Sequence, residues 1–536
     1  MKSSAKRHLE KQTLKLQRGQ ISRRQFVRSA VTAGVVLPTA LSLADQAIAN
    51  TPSMGGHFKA GLGHGSTTDS LDPATYENGF MTMASFSLYN HMTEVGPDGQ
   101  LRPELVESYE ATPDAKNWIF KVRSGVEFHN GKTLDAEDIV ASLNYHRGPD
   151  SKSAAKGNLS GVEVLRADGD NVIAELNEGN ADFPVLLSDY HFTIRPSSEG
   201  TIDPTSPIGT GPYSYVNFDP GVRLEGARNP NYFKPDTAFF DSIEILSIID
   251  VTARQNAALN DEVDAIDRVD PKTVALLSRA PHLAILETTG TLHYTFPMRV
   301  DTAPFDNLHL RTALKLAVKR QELVDKILFG HGALGNDHPI STANQFHASN
   351  IPQREFDPDM ARHHYQQSGH SGPIQLSASD AAFAGAVDAA QLIAASAAEC
   401  GIEIEVIREP SDGYWSNVWN KKPWGACYWG GRPTEDWMFS SAYIAETEWN
   451  DTAWRDTEGA IKFNQIVVQA RSELDSDKRR ALYEEAQLLI RDDGGALVPM
   501  FANHIHALNR RIGHSDDVAA NWQMDGSKAT ERWWFV

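Results

Sequence analysis

Seven of the chain's 11 tryptophans, Trp415, Trp419, Trp424, Trp429, Trp437, Trp449 and Trp454, fall within forty residues. Aromatic faces hold sugar rings, aromatic groups or quaternary ammonium ions. Indoles also fill cores, and four or five of the seven are expected to do only that. The histidines point to no chemistry of their own. His504-x-His506 alternates onto one strand face, His363 and His364 diverge on a helix, and His331 and His338 bracket residues 332–337. No third ligand stands at diagnostic spacing, so no metal and no cofactor is expected. The hydrolase signatures Gly-x-Ser-x-Gly and His-Glu-x-x-His are absent, no cysteine sits in a nucleophile setting, and adjacent acids such as Glu435-Asp436 are commonplace. Two lone cysteines, Cys400 and Cys427, lack a Cys-x-x-Cys pattern; a disulfide between them is left open. Binding without turnover is the expected chemistry, with a periplasmic hydrolase as the rival.

The elements that position these residues are of mixed α/β type. Val162 to Leu165 and Val172 to Leu176 flank turn residues 167–171 and predict a hairpin. Ser242 to Ile249 reads as a strand, and Thr252 to Leu259 as a helix. Asn307 is placed to cap a helix whose apolar face is Leu310, Ala313, Leu314, Ala317 and Val318; a second helix follows and stops at Gly330. Ser476 is placed to cap another, with Leu482, Tyr483, Ala486, Leu489 and Ile490 inward, ending on a left-handed glycine at Gly494-Gly495.

The first 49 residues read as a leader. Lys2, Lys6, Arg7, Lys11, Lys15 and Arg18 precede a twin-arginine box, Ser22-Arg23-Arg24-Gln25-Phe26-Val27. An apolar stretch from Ser29 to Leu43 follows, then Ala47-Ile48-Ala49, with cleavage expected after Ala49. The stretch is interrupted by Pro38 and falls short of the ~20 residues a bilayer needs. No later run is long enough to span, so a periplasmic location without stable membrane insertion is expected. The chain carries a formal charge of −20; residues 1–49 hold nine Lys/Arg against two Asp/Glu, which leaves −27 for the remainder. So acidic a protein repels phosphate backbones, and nucleic acid is excluded as a partner. Residues 50–536 exceed one ordinary core and show neither repeat nor Gly/Ser linker. Two or three domains crossed more than once by the chain, in a hinge-like arrangement, are expected.

Four stretches then stand out together. They are Phe128-His129-Asn130-Gly131-Lys132-Thr133-Leu134-Asp135-Ala136-Glu137-Asp138-Ile139-Val140, Pro207-Ile208-Gly209-Thr210-Gly211-Pro212-Tyr213, Pro304-Phe305-Asp306-Asn307 running into Arg311-Thr312-Ala313-Leu314, and residues 425–439, followed by Leu497-Val498-Pro499-Met500-Phe501. Locally, Asp135 caps a helix with Asp138 in its first turn, and Gly209 and Gly211 permit a sharp turn before an aromatic strand. In this order and spacing, residues 57–536 resemble the dipeptide/oligopeptide class (family 5) of ABC-importer solute-binding proteins. The resemblance implies an α/β, two-lobed periplasmic-binding-protein fold with an extra domain (type II, oligopeptide-binding class). It places lobe I at 50–88, 205–297 and 495–536, the extra domain at 89–204 and lobe II at 298–494. It also implies a small-molecule ligand closed between the lobes of a monomer, and recognition by a permease with ATPase subunits. A binding protein that reports to a chemoreceptor would look the same.

In peptide-binding relatives, an aspartate three residues after a cleft tryptophan pairs with the ligand's amino group. The matching run here is Tyr428-Trp429-Gly430-Gly431-Arg432, so a cation replaces that anion. An ammonium facing Arg432 would be repelled, whereas a carboxylate accepts its fork. The candidate ligand-binding residues are therefore Arg432, Trp429, Tyr428, Gly431, Asp436, Trp437 and, near the lobe crossing, Arg299. The expected solute is a peptide, or a peptide-like or other small molecule that bears a carboxylate.

Overall fold

The computed structural model describes residues 11, 12, 15, 21–33, 35–36, 40, 52–410, 414–430 and 432–536. A nine-stranded sheet organises the chain. Its strands are β1 (His57–Leu62), β2 (Tyr213–Asp219), β3 (Arg223–Arg228), β4 (Ser242–Ser247), β5 (Ala265–Ile266), β6 (Leu283–Thr295), β7 (Gly332–Leu334), β8 (Cys427–Trp429) and β9 (Met500–Asn509). The order is β2-β3-β4-β1-β5-β9-β6-β8, with β7 also pairing β9. β1 runs parallel to β4 and β5, while β9 is antiparallel to β5 and β6.

The two long strands β6 and β9 carry the sheet from one apolar core into others. At one end Phe58, Phe80, Tyr213 and Trp533 are buried together. At the other, Phe296, Leu310, Leu376 and Trp424 form one core, and Phe439, Trp454, Phe463 and Tyr483 form a second. The β6–β9 register shifts between Thr289 and His293. Gly290 sits in this irregularity, where a β-carbon would lie 2.5 Å from His504 Nε2, so a side chain there would force the His504 ring to shift.

Residues 106–176 build a separate antiparallel sheet of four strands, with alternating burial as in Asn117–Val122 and its own core around Trp118, Phe120 and Val172. The predicted hairpin is there, as Val162–Asp168 and Asn171–Leu176. A charge network ties this unit to the first lobe. Glu104 lies 2.6 Å from both Lys234 and Lys528, and Glu94 lies 2.9 Å and 2.7 Å from the same two lysines. Burial disfavours the Glu104 carboxylate, but Lys234 and then Lys528 outweigh it and hold its pKa at about 2.

Local capping follows the sequence at several sites. Asp135 and Asp138 form a capping box for Ala136–Tyr145, and the Asn307 side chain accepts from Leu310 N–H at 3.2 Å. Helix Ser476–Asp492 is capped one residue earlier than expected, by Asp475, whose carboxylate accepts from two backbone N–H groups as a serine hydroxyl would not as readily. Gly494 and Gly495 are not left-handed. They are glycines because the chain is crowded: a β-carbon on Gly495 would lie 2.0 Å from Met298 O. Gly209 and Gly211 likewise lie against the Leu88 backbone instead of making a positive-φ turn: a β-carbon on them would come within 2.2 Å of Leu88 O and 2.3 Å of the Leu88 carbonyl carbon. Cys400 and Cys427 are free thiols buried in different cores. The twin-arginine segment includes a helix, Arg23–Thr32, capped by Ser22; the expected cleavage point after Ala49 lies outside the described residues.

Candidate functional site

Strand β8 lies at the sheet's edge against β6, with Trp429 opposite His293, Tyr428 opposite Tyr294 and Cys427 opposite Thr295. Period two sends Cys427 and Trp429 into a core and leaves Tyr428 outward, 44% exposed, edge-on to Trp415 at 5.6 Å. Trp429 is fixed from behind. Its indole N–H and that of Trp419 both donate to Asp451, at 3.2 Å and 3.1 Å. Burial pushes the Asp451 carboxyl up to about 6, against the pull of both indoles.

Beyond β8 the chain passes Gly430, then Gly431, which lies outside the described residues, and reaches Arg432. Its guanidinium carbon sits 5.8 Å from the Trp429 ring and 6.0 Å from the Trp437 ring, a double cation–π arrangement. Asn344 donates to the Arg432 carbonyl at 3.3 Å. Burial lowers the arginine's pKa from its usual value, and the Tyr190 hydroxyl, from the 89–204 segment, opposes that. Thr434 then caps helix Glu435–Ala442 by accepting from Trp437 N–H, which orients the Trp437 ring.

The other predicted residues are engaged elsewhere. Asp436 is bound by Arg471 at 3.1 Å; burial nonetheless holds it up at about 6. Arg299 donates to both oxygens of Asn420 and pairs with Asp301 at 2.9 Å, inside its own lobe. Of the seven clustered tryptophans, Trp424, Trp429 and Trp454 are buried, while Trp415 and Trp449 are 40% and 51% exposed. Fewer fill cores than expected because an array of rings extends outward from Trp429, through Trp419 to Trp415 and separately to Trp449.

Sequence reasoning missed a cavity of about 230 Å³ lined by His64, Glu77, Asn78, Tyr190, Arg268 and Trp522, among others. Tyr190 and Trp522 meet edge-to-face at 5.6 Å. His64 accepts from Gly79 N–H, and burial, then Arg268 and Arg254, hold it neutral, with a pKa of about 4. These residues come from five separate stretches, and only tertiary structure assembles them.

The 89–204 segment also touches the 298–494 segment. Asp182 pairs with Arg479 at 2.7 Å, both side chains under a tenth exposed, and Ala181 N–H donates to Arg471 O at 2.6 Å. Next to this contact, Glu435 accepts from Phe346 N–H, and burial pushes its carboxyl up to about 7. Among the described residues, the one set of carboxylates close enough to share a metal ion is Glu94, Glu104 and Glu531. Lys234, Lys528 and Arg532 already neutralise that group.

Strands β6 and β9 run between separate apolar cores, with the aromatic segment that follows β8 at the sheet's edge. Residues 100–451 match the family described as bacterial extracellular solute-binding proteins, family 5 middle. The chain belongs to that family. Among relatives of this family 5 protein is the glutathione-binding protein GsiB of Pectobacterium atrosepticum, 24% identical over 359 residues, 65% of this chain and 66% of the relative. Another is di/tripeptide-binding protein 2 of Pseudomonas aeruginosa, 23% identical over 471 residues, 79% of this chain and 86% of that one. The solved structure of HbpA2 from Haemophilus parasuis superposes with a TM-score of 0.77 at 19% identity, covering 88% of this chain and 99% of that one. The fold is the type II, oligopeptide-binding class of periplasmic binding protein.

Proposed function

We propose that this family 5 protein is the monomeric binding component of an ABC importer, and that it takes up a peptide-like or other small carboxylate-bearing solute between its lobes. As a member of the family it is a periplasmic solute-binding protein and not an enzyme. The partner is a membrane permease with its ATPase subunits.

The observation that carries the solute class is Arg432. It stands at the end of β8 between Trp429 and Trp437, with Tyr190 of the 89–204 segment close enough to alter its ionisation. A carboxylate meets a planar fork there, and closure removes the water that would screen the pair. Tyr428, outward at the sheet's edge, supplies apolar surface for the rest of the solute. A ligand that binds better when the lobes are closed shifts the population to that state, which is the form a permease can read.

Relatives named for glutathione and for di- and tripeptides set the first panel to screen. A ligand at about a hundred times its dissociation constant stabilises by about 2.7 kcal/mol, a clear thermal shift. Arg432→Ala is expected to weaken the best solute by roughly tenfold or more, as loss of a charge-assisted hydrogen bond does. Unchanged affinity by calorimetry removes Arg432 from the site. Free peptides that bind while their N-acetylated forms do not would make the amine the anchor instead.

A further inference from the structure

We infer that His309 and His364 form a metal site, an exposed pair of imidazoles that takes up one divalent transition-metal ion, copper or nickel in preference to zinc. The pair goes beyond the solute reading above and shares no residue with it. His309 stands in the first turn of helix Leu308–Leu316, and His364 in the middle of helix Pro358–Ser368. Their Nδ1 atoms face each other at 2.9 Å, with ring centroids 5.2 Å apart and the ring planes inclined by 32°. They are 55 residues apart in the chain, so no spacing marks the pair; the sequence shows His363 and His364 diverging and hides the partner of the second.

The two helices hold the pair in place. Leu310, Ala313 and Leu314 of the first and Ala361 of the second are buried in one core with Phe296 and Trp424. Asn307, which caps the first helix, also donates to Ser368 O at the end of the second, at 3.1 Å. Binding an ion therefore orders little beyond the two side chains. His309 is exposed and His364 half-buried, which leaves the pair open to an ion from solvent.

Two imidazole nitrogens this close need something between them. Two protonated rings would set like charges together, and two bare lone pairs would also repel. In the free protein one ring donates its Nδ1 proton to the other. A metal ion does more, because both lone pairs then face a cation while each Nε2 keeps its proton. Metal–imidazole bonds are about 2.0–2.1 Å long. Two such bonds that span 2.9 Å meet at about 90°, the angle between neighbouring positions of a square-planar or octahedral ion. Copper and nickel take that geometry with nitrogen and oxygen ligands, whereas tetrahedral zinc would need the nitrogens about 3.3 Å apart. Burial, then His309 and His363, lower the His364 pKa, which favours the unprotonated ring a metal requires. Water completes the coordination.

The test titrates the untagged protein with Cu²⁺, Ni²⁺ and Zn²⁺ alone, in a buffer that does not chelate them. Calorimetry and thermal shift are run on the parent, His309→Gln, His364→Gln and His363→Gln, and electron paramagnetic resonance on the Cu²⁺ samples. The parent is expected to take up one tight equivalent of Cu²⁺ whose spectrum shows two imidazole nitrogens, and to melt higher with Ni²⁺ than with the same concentration of Zn²⁺. His309→Gln and His364→Gln should each abolish that equivalent, and His363→Gln should keep it. The chain has 19 histidines, so copper that binds the parent and all three variants alike is held elsewhere and overturns the inference. Absence of saturable uptake overturns it too, as does loss in only one variant of the pair. The parent's own spectrum counts the bound nitrogens whether or not a variant folds, and fewer than two refutes the site. A higher melting temperature with Zn²⁺ than with Ni²⁺ refutes the preference drawn from the 2.9 Å separation.

Discussion

The Asp182–Arg479 pair spans the contact between the 89–204 segment and the lobe that carries β8, and it makes closure open to measurement. Asp182→Asn removes the anion and leaves a buried guanidinium beside Phe346 and Tyr483. Burial alone would lower that arginine's pKa, but the Asp182 carboxylate outweighs it and raises it. Breaking a buried pair from one side typically costs about 3–5 kcal/mol. The asparagine oxygen still accepts a hydrogen bond, and Arg479 keeps its contacts to Ala470 O and the Tyr483 hydroxyl, which returns roughly 1 kcal/mol. If the pair forms only when the lobes meet, the remaining 2–4 kcal/mol falls on closure, and ligand affinity drops by about 30- to 1,000-fold. Calorimetry reads the affinity, and small-angle scattering reads the opening of the free variant. Pairing Asp182→Asn with Arg479→Met should recover part of the loss, since no unpaired charge then remains. Unchanged affinity and scattering, with only a lower melting temperature, would show that this contact persists in the open protein and refute the reasoning.

Two further outcomes follow from burial and crowding. Glu435, Asp436 and Asp451 have folded pKa values raised by burial to about 7, 6 and 6. Groups raised in this way bind extra protons in the folded state, so their contribution is complete below about pH 4 and is lost as pH rises through 6 to 7. Glu435→Gln should therefore gain melting temperature relative to the parent on going from pH 5 to pH 8; parallel pH curves would count against this. Gly495→Ala drives a β-carbon against Met298 O and should cost roughly 1–3 kcal/mol or more in urea denaturation, whereas Gly369→Ala, which meets nothing within 4 Å, should pay only for its left-handed backbone.

What could be read from the sequence was short in range. The hairpin at 162–176, the Asn307 cap and the Asp135–Asp138 box each depend on a few neighbouring residues, and the structure has them. The glycines were harder. At Gly209, Gly211 and Gly495 the reason for glycine is another stretch of backbone more than 100 residues away, so turn chemistry was the wrong explanation. The candidate site divides the same way. Trp429 and Arg432 sit in one run of sequence, which is why they could be proposed from it, whereas Tyr190, Arg268 and Trp522 share no spacing that marks them. Arg299 and Asp436 look like available charges until Asn420, Asp301 and Arg471 are placed beside them.

The crossing strands also set the timetable of biosynthesis. β9 lies between β5 and β6 in the finished sheet, yet Ala265 must wait for Leu508, and Leu283 for Asn509, before these strands have their neighbour. A ribosome therefore releases some two hundred residues with the central gap in the sheet still open, and neither lobe can be sealed one after the other as separate beads. Such late, distant pairing slows folding and prolongs exposure of unpaired strand edges. A nascent chain stalled before residue 500 should be protease-sensitive throughout the β6 segment, and should become resistant in one step once β9 emerges.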